Sequence, residues 1–168
     1  QAVGSIDTTH LDSDDIEVSV WPSTIADTNA NNDDADDTAT LTVGDASVTL
    51  DTLESPYVIG STTDISGTVS PNVESVYLYA RSSGEWEPVA ESGQSQAYEI
   101  EVDADDTFSE SDFDLTVGNA DGNTLLSIPG NYRIGVVAAA GISDRTASIS
   151  TTAFNDNTTD QQSVVTTS

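Results

Sequence analysis

The sequence predicts an all-β chain with an immunoglobulin-like β-sandwich fold. Short runs in which apolar and polar residues alternate recur along the 168 residues, and clusters of turn-forming residues separate them. No window of a dozen residues keeps the spacing of an amphipathic helix. About ten short strands separated by turns are typical of a sandwich or a barrel.

The predicted strands are assigned wherever this alternation is found. In chain order they are Ile16 to Val20, Leu41 to Val43, Val48 to Leu50, Ile65 to Val69, Val76 to Ala80, Trp86 to Val89, Tyr98 to Val102, Phe113 to Val117, Tyr132 to Ala138, Ala147 to Thr152 and Ser163 to Thr167. The fifth strand is apolar on both faces, because Tyr77 and Tyr79 alternate with its aliphatic residues. Two apolar faces predict a central strand of a sheet.

One local motif is more specific than alternation. The string Ile128-Pro129-Gly130-Asn131-Tyr132 places a turn and a tyrosine directly before a strand. In immunoglobulin-like sandwiches such a tyrosine corner bonds its hydroxyl to upstream backbone, and the residue two positions later faces the core. The motif therefore predicts Tyr132 as the corner and Ile134 as a core residue. The alternative is a tyrosine that simply caps the strand.

The domain organisation follows from where core candidates are found. Residues 1–15 carry few of them, which predicts a linker or a strand that belongs to a preceding domain. Residues 16–168 are predicted to form one immunoglobulin-like domain. Within it the acidic segment 27–37 has no large apolar residue, so we expect a polar loop there.

Acidic residues dominate the charge of the chain. It contains 30 Asp and Glu against three Arg, no Lys and one His, for a formal net charge of −27. This charge repels nucleic acids and anionic lipids, so we expect neither as a partner. Molar salt shortens the Debye length to about 3 Å and strengthens apolar burial. The composition indicates adaptation to a hypersaline medium, the alternative being a mesophilic, acidic, calcium-binding surface protein.

The residues give little support to catalysis. The one histidine, His10, lies in the weakly patterned N-terminal stretch, and no serine stands in a nucleophile-elbow motif. Among 30 acids, carboxylate pairs arise by chance, and no glycine-rich phosphate loop is present. Without Cys there is no thiolate nucleophile, thiolate metal site or disulfide. We predict that the chain is not an enzyme.

The acidic loops are candidate calcium sites, because Ca²⁺ takes several oxygen ligands in irregular geometry. One group of acids, Asp103, Asp105 and Asp106, follows a predicted strand end, and Asp112 comes a few residues later. A second candidate, Asp121, lies between Asn119 and Asn123, next to Gly122. The predicted ligands are Asp103, Asp105, Asp106, Asp112 and Asp121. The alternative is that a halophilic surface places acids in loops throughout.

One N-glycosylation acceptor pattern occurs, at Asn157-Thr158-Thr159. A single pattern is no enrichment in a chain this rich in Ser and Thr. It predicts a glycan on Asn157 provided that the chain is exported.

Several strings of the sequence resemble one known family. They are SPYVIGS from Ser55, DISGT from Asp64, VYLYAR from Val76, GEW from Gly84, VDADDTF from Val102 and YRIGV from Tyr132. In this order and spacing they resemble a middle domain of the haloarchaeal S-layer glycoproteins, the major cell surface glycoproteins of that group. The run LDSDDIEV from Leu11 resembles the lead into that domain.

The resemblance implies an immunoglobulin-like domain, one of several along each S-layer subunit. Subunits of this family are exported, N-glycosylated and assembled into a lattice that depends on divalent cations. The chain is then expected to be a structural fragment at the extracellular cell surface. Its implied partners are other S-layer subunits, neighbouring domains of the same chain and an N-linked glycan. No direct membrane contact is expected from this fragment.

A second hypothesis comes from a different functional class. The chain would be an adhesion or carbohydrate-binding module of a secreted halophilic protein, since sandwiches host many functions. Sugar binding usually needs an exposed aromatic platform, for which Trp21, Trp86, Tyr77 and Tyr79 are candidates. Exposure of Trp86 and Tyr79 on one face favours this hypothesis, and their burial disfavours it.

Overall fold

The computed structural model of the chain describes residues 14–20, 37–71, 73–90, 94–116, 125–155 and 158–168. Within these ranges the regular structure is strands and two short 3-10 turns, Leu125–Ser127 and Ala139–Gly141. The chain divides into two compact units, Gln1–Asp45 and Ala46–Ser168. The predicted boundary at residue 15 lies within the first unit, and the predicted extent of the sandwich domain stays a prediction.

The first unit contains two antiparallel strands, β1 (Asp14–Val20) and β2 (Asp37–Val43). Their register places Ile16 opposite Leu41 and Val18 opposite Ala39. Most of the predicted acidic loop lies outside the described residues, and its last residue belongs to β2.

The second unit contains two sheets. The smaller sheet has the order β3-β5-β9, with β3 (Val48–Leu50), β5 (Thr63–Val69) and β9 (Thr107–Phe113). The larger sheet has the order β4-β11-β10-β6-β7, and β8 also pairs with β6. Its strands are β4 (Tyr57–Val58), β6 (Ser75–Arg81), β7 (Glu87–Pro88), β8 (Glu99–Glu101), β10 (Gly130–Ala138) and β11 (Thr159–Thr167).

The main core lies between the two sheets, because alternate residues of their strands point inward. In β5 buried and more exposed side chains alternate along the whole strand. Glycine is required at Gly67, where a Cβ would lie 2.1 Å from the Thr49 carbonyl oxygen and 2.5 Å from the Phe108 ring. The core includes Leu50, Ile65, Leu78, Ile100, Phe108, Ile134, Val136 and Val164. The predicted all-β, immunoglobulin-like fold is confirmed.

A second apolar cluster covers the other side of the larger sheet, which we call its outer face. Tyr79 and Val137 on this face pack with Trp86, Ala97 and Phe154. The strand β6 therefore has apolar contacts on both faces and lies between β10 and the β7 and β8 edge. Its predicted central position is confirmed.

Two predicted strands are placed differently in the structure. The strand predicted at Phe113 to Val117 is wrong, since β9 ends at Phe113. Its polar, solvent-facing side chains hide the alternation, because Phe108 and Phe113 are its two buried residues. Within the predicted strand at Ala147 to Thr152, Ile149 alone is paired, in an isolated bridge with Trp86.

Candidate functional site

The loop that joins β8 to β9 contains three of the predicted calcium ligands. Its backbone closes a tight turn, in which Asp103 N–H donates to Thr107 O at 2.7 Å and Asp106 N–H donates to Asp103 O at 3.1 Å. Asp106 has a left-handed φ of 61°, a conformation that Asp tolerates better than most residues. The Asp105 carboxylate accepts a hydrogen bond from Thr107 Oγ1 at 2.7 Å. These acids build the turn itself, a common role of Asp in loops.

Asp112 lies near the other end of β9, beside the irregularity in the β5–β9 ladder. Its N–H donates to the Asp64 carboxylate at 3.1 Å, and its own carboxylate accepts from Thr62 Oγ1 at 3.4 Å. Asp106 is six positions away, which on an extended strand is roughly 20 Å. The structure does not bring Asp112 together with the acids of the turn.

The predicted calcium ligands that the structure describes do not form one metal-binding cluster. In the part of the chain that the structure describes, no three Asp, Glu or His side chains are grouped closely enough to hold a metal ion. Asp121 lies outside the described residues. Calcium binding therefore stays a prediction.

The aromatic residues proposed as a sugar platform are buried. Trp86 is 1% exposed and Tyr79 is 0% exposed. Phe154 stacks on Trp86 with ring centroids 3.9 Å apart and contacts Tyr79 edge-on at 6.2 Å. Burial raises the pKa of Tyr79 well above its ordinary value, with the Asp144 carboxylate adding to the effect. Their burial disfavours the carbohydrate-binding hypothesis, and Trp21 lies outside the described residues.

The tyrosine corner is confirmed. The Tyr132 hydroxyl donates to the Ile128 carbonyl oxygen at 2.9 Å, and Ile134 is fully buried. The Thr166 hydroxyl on β11 donates to the same carbonyl oxygen, also at 2.9 Å. Two strands are therefore fixed to the turn that precedes β10.

A polar clasp joins the two sheets at β3 and β11. The backbone N–H of Leu50 donates to Asp160 Oδ2 at 2.8 Å, and Gln162 Nε2 donates to the Leu50 carbonyl oxygen at 3.1 Å. Side chains of one sheet thus satisfy both backbone groups of a residue in the other. Such bonds hold the sheets in one relative position, since an unpaired backbone group near the core is costly.

The three arginines all contact the larger sheet or its cover. Arg145 forms an ion pair with Glu99, and its guanidinium carbon lies 5.1 Å from the centre of the Tyr77 ring. Arg81 lies 5.2 Å from the centre of the Trp86 ring. Arg133 donates to Gln161 Oε1 at 3.0 Å. Two of the arginines thus lie over aromatic rings, and the third contacts a side-chain amide.

Two predicted features fall where the structure is not described. Asn157 precedes the described residues Thr158 and Thr159 of its acceptor pattern. His10 also lies outside the described residues, as do the other residues before Asp14. Glycosylation of Asn157 stays a prediction.

Sequence reasoning missed the residues that cover the outer face. Ile142, Ile149 and Phe154 pack there from the long connection between β10 and β11, without any strand-like spacing. A usable signal was the two-sided apolar pattern of β6, because a second apolar face needs a cover.

Comparisons with known proteins identify relatives of this chain. No family model matches the chain. It is 32% identical over 184 residues to the "Cell surface glycoprotein" of Halobacterium salinarum, covering 96% of this chain and 21% of that protein. The chain is homologous to a segment of the haloarchaeal cell surface glycoproteins. The "Cell surface glycoprotein" of Haloarcula japonica is 36% identical over 148 residues, and that of Haloarcula marismortui is 33% identical over 165 residues.

The resemblance to haloarchaeal cell surface glycoproteins predicted from the sequence strings is therefore confirmed. The chain spans about a fifth of the length of the relatives that it matches, from 17% to 21%. The two Haloarcula glycoproteins match 80% of this chain each. The name of these relatives agrees with the predicted location at the cell surface. None of the helices in the described ranges is long and apolar enough to cross a membrane.

Proposed function

We propose that the chain is a structural domain of an S-layer glycoprotein, and that it builds the protective lattice outside a halophilic archaeal cell. The observation that carries the proposal is the match of 96% of the chain to a haloarchaeal cell surface glycoprotein. The role is mechanical rather than enzymatic. The domain keeps its shape and presents surfaces to neighbours.

The sandwich suits a load-bearing unit. Its main core fills the space between the sheets, and the second cluster buries Trp86 and Phe154 on the outer face. The clasp between Leu50 and Asp160 ties the sheets together at a strand edge. Apolar packing on both faces of the central strand gives the domain a close-packed interior of low compressibility that transmits strain.

The charge suits the same location. With 30 acids against three bases, the chain stays soluble in brine, where molar salt screens repulsion between carboxylates. The proposed partners are neighbouring domains and other S-layer subunits, together with an N-linked glycan on Asn157. Acidic surfaces that meet in a lattice repel unless cations or paired groups lie between them, which gives divalent ions such as calcium a place between subunits.

A deletion in the parent gene tests the proposal directly. The codons for residues 46–168 are removed in the organism that carries the gene, and cell envelopes are imaged by electron cryotomography in high salt. We expect loss of lattice order at the cell surface. A matched strain expresses the full chain with Asn157→Gln, which removes the glycan acceptor and leaves the domain in place. An undisturbed lattice in the deletion strain contradicts the proposal.

The stability of the isolated chain tests the halophilic part of this role. Thermal unfolding is measured by circular dichroism across a matrix of KCl and CaCl₂ concentrations. We expect the midpoint to rise strongly between dilute buffer and molar KCl, because screening relieves repulsion among the acids. A further, saturable rise at low CaCl₂ would support discrete calcium sites. A cooperative transition that is unchanged between dilute buffer and molar KCl contradicts the halophilic assignment.

A further inference from the structure

Exposed apolar side chains collect at one end of the larger sheet. The large apolar residues exposed in the described part of the chain are Val58, Ile128 and Val165, with exposed fractions of 51%, 66% and 43%. Val58 pairs with Thr167, two positions beyond Val165 on β11. The Ile128 carbonyl oxygen accepts a hydrogen bond from Thr166, which lies between Val165 and Thr167 on β11. The three apolar side chains therefore belong to neighbouring chain segments at the same end of β4, β10 and β11.

Two of the three arginines lie next to this apolar end. Arg81 on β6 and Arg133 on β10 are directly opposite each other in the strand register. Both fall on the outer face, since Tyr79 and Gly135 are the next pair along the same face. The row continues into β11 at Ser163, two positions from Val165. With strands about 4.8 Å apart, the two guanidinium groups and the exposed valines share one surface.

The segment that covers the outer face leaves this surface open. Its apolar residues, Phe154 among them, pack over Tyr79 and Val137, at the other end of the strands. Arg133 and Val165 are exposed, and Arg81, whose guanidinium lies over the Trp86 ring of the cover, is half-buried at the boundary. The outer face is thus divided into a covered half and an open half. We call this open half, together with Ile128 in the turn at its end, the valine–arginine patch, and define it by Val58, Arg81, Ile128, Arg133 and Val165.

Among the described residues, the side-chain hydrogen bonds of the two patch guanidinium groups go to uncharged groups, and Arg81 also lies over the buried Trp86 ring. Arg81 donates to the Gly84 carbonyl oxygen at 3.3 Å, and Arg133 donates to the Gln161 amide. Arg145, outside the patch, contacts a carboxylate instead. A guanidinium group carries five N–H donors in a planar fork that matches a carboxylate. The patch therefore offers donors to acidic groups that come from outside.

We propose that the valine–arginine patch is a docking surface for the carboxylate-bearing surface of a second copy of this chain. Charge complementarity selects this occupant. The chain has 30 acids and places two of its three bases here, so nearly every other part of a second copy presents the charge that the patch attracts. The exposed valines and isoleucine give the contact an apolar part, which molar salt strengthens while it weakens exposed ion pairs.

The proposed contact joins two different surfaces, a basic and apolar patch on one copy and an acidic surface on the next. Contacts of this head-to-tail kind leave a free patch and a free acidic surface at the ends, so they build rings or open arrays rather than stop at a dimer. The inference deepens the proposed lattice function and rests on it. It assigns one of the surfaces through which copies would meet.

Sedimentation equilibrium of the full chain in molar KCl tests the proposal. The wild-type chain is compared with the double variant Arg81→Glu and Arg133→Glu, and with Val165→Glu. We expect self-association of the wild type at high micromolar to millimolar concentration, weakened roughly tenfold or more in both variants, because like charges then meet across the contact. Arg145→Gln is the matched control, since it removes a base outside the patch. Thermal unfolding of each variant in the same buffer verifies that it is folded.

Mixing the double variant with the wild-type chain distinguishes a head-to-tail contact from one in which two patches face each other. The double variant keeps its acidic surface, so it is expected to bind a wild-type patch and to stop growth of larger species. A wild-type chain that stays monomeric at millimolar concentration overturns the proposal, as does association that the patch variants leave unchanged. The lattice deletion distinguishes these failures from failure of the proposed function. If deletion abolishes the lattice while the patch variants assemble normally, the docking surface is wrong and the proposed function stands.

Discussion

The covered and the open halves of the outer face differ although the same strands build both. On the covered half, Tyr79 and Val137 are buried under Phe154. On the open half, Arg133 of β10 and Val165 of β11 are exposed. The alternation of side chains is identical in the two halves. Whether an outward residue belongs to a core or to a surface is therefore decided by the β10–β11 connection, which packs on one half only.

Removing the ring that covers the outer face gives the largest expected effect. Phe154→Ala should lower the free energy of unfolding by about 3 kcal/mol or more, because a fully buried aromatic leaves a cavity over β6 and β10. Urea unfolding in molar KCl measures the change. Val165→Ala on the open half is the matched control and should change stability by no more than about 0.5 kcal/mol. A loss below about 1 kcal/mol for Phe154→Ala would mean that the cover is a dispensable flap.

Adding one methyl group beneath the same ring should have a smaller effect. A Cβ at Gly135 would lie 2.6 Å from two ring atoms of Phe154 and 3.0 Å from the Asp160 carbonyl oxygen. We expect Gly135→Ala to cost about 1–3 kcal/mol by overpacking. Gly44→Ala is the control, because no atom lies within 4 Å of its added Cβ.

A double-mutant cycle shows whether the ring causes that cost. The two closest contacts of the added Cβ belong to Phe154, so much of the penalty of Gly135→Ala should disappear in the Phe154→Ala background. Strict additivity of the two losses, measured in the same urea titrations, would place the strain in the backbone of β11 instead.

The sequence predicted those parts of the fold that depend on residues close together in the chain. The tyrosine corner was found because a turn, a tyrosine and a strand follow one another in the chain. The central position of β6 was found because both of its faces are apolar. The strand β9 was misplaced, since its exposed positions are polar and Asp112 interrupts its ladder with a left-handed φ of 58°. A sequence window cannot weigh such an interruption against the pairing partner that tolerates it.

The candidate sites depended on tertiary placement and were predicted less well. Asp105 and Asp112 are close in sequence, yet their side chains bind Thr107 and Thr62 at opposite ends of one strand. The arginines are far apart in sequence, yet Arg81 and Arg133 are direct neighbours across two strands. Distance along the sequence does not determine either arrangement, because strand register, which sets these neighbours, arises only when distant segments pair.

On the inner side of β10, the tyrosine corner fixes the turn that precedes the strand. Removing the Tyr132 hydroxyl should give the smallest loss of stability among these predictions. The Ile128 carbonyl accepts from both Tyr132 and Thr166, each at 2.9 Å. Tyr132→Phe removes one donor and leaves the acceptor satisfied by the other. We therefore expect a loss of about 0.5–1 kcal/mol, at the low end for a buried hydrogen bond. In the Thr166→Val background the same substitution removes the last described donor and should cost measurably more. An equal loss in both backgrounds, or a loss above about 2 kcal/mol for Tyr132→Phe alone, would show that the two hydroxyls do not support each other.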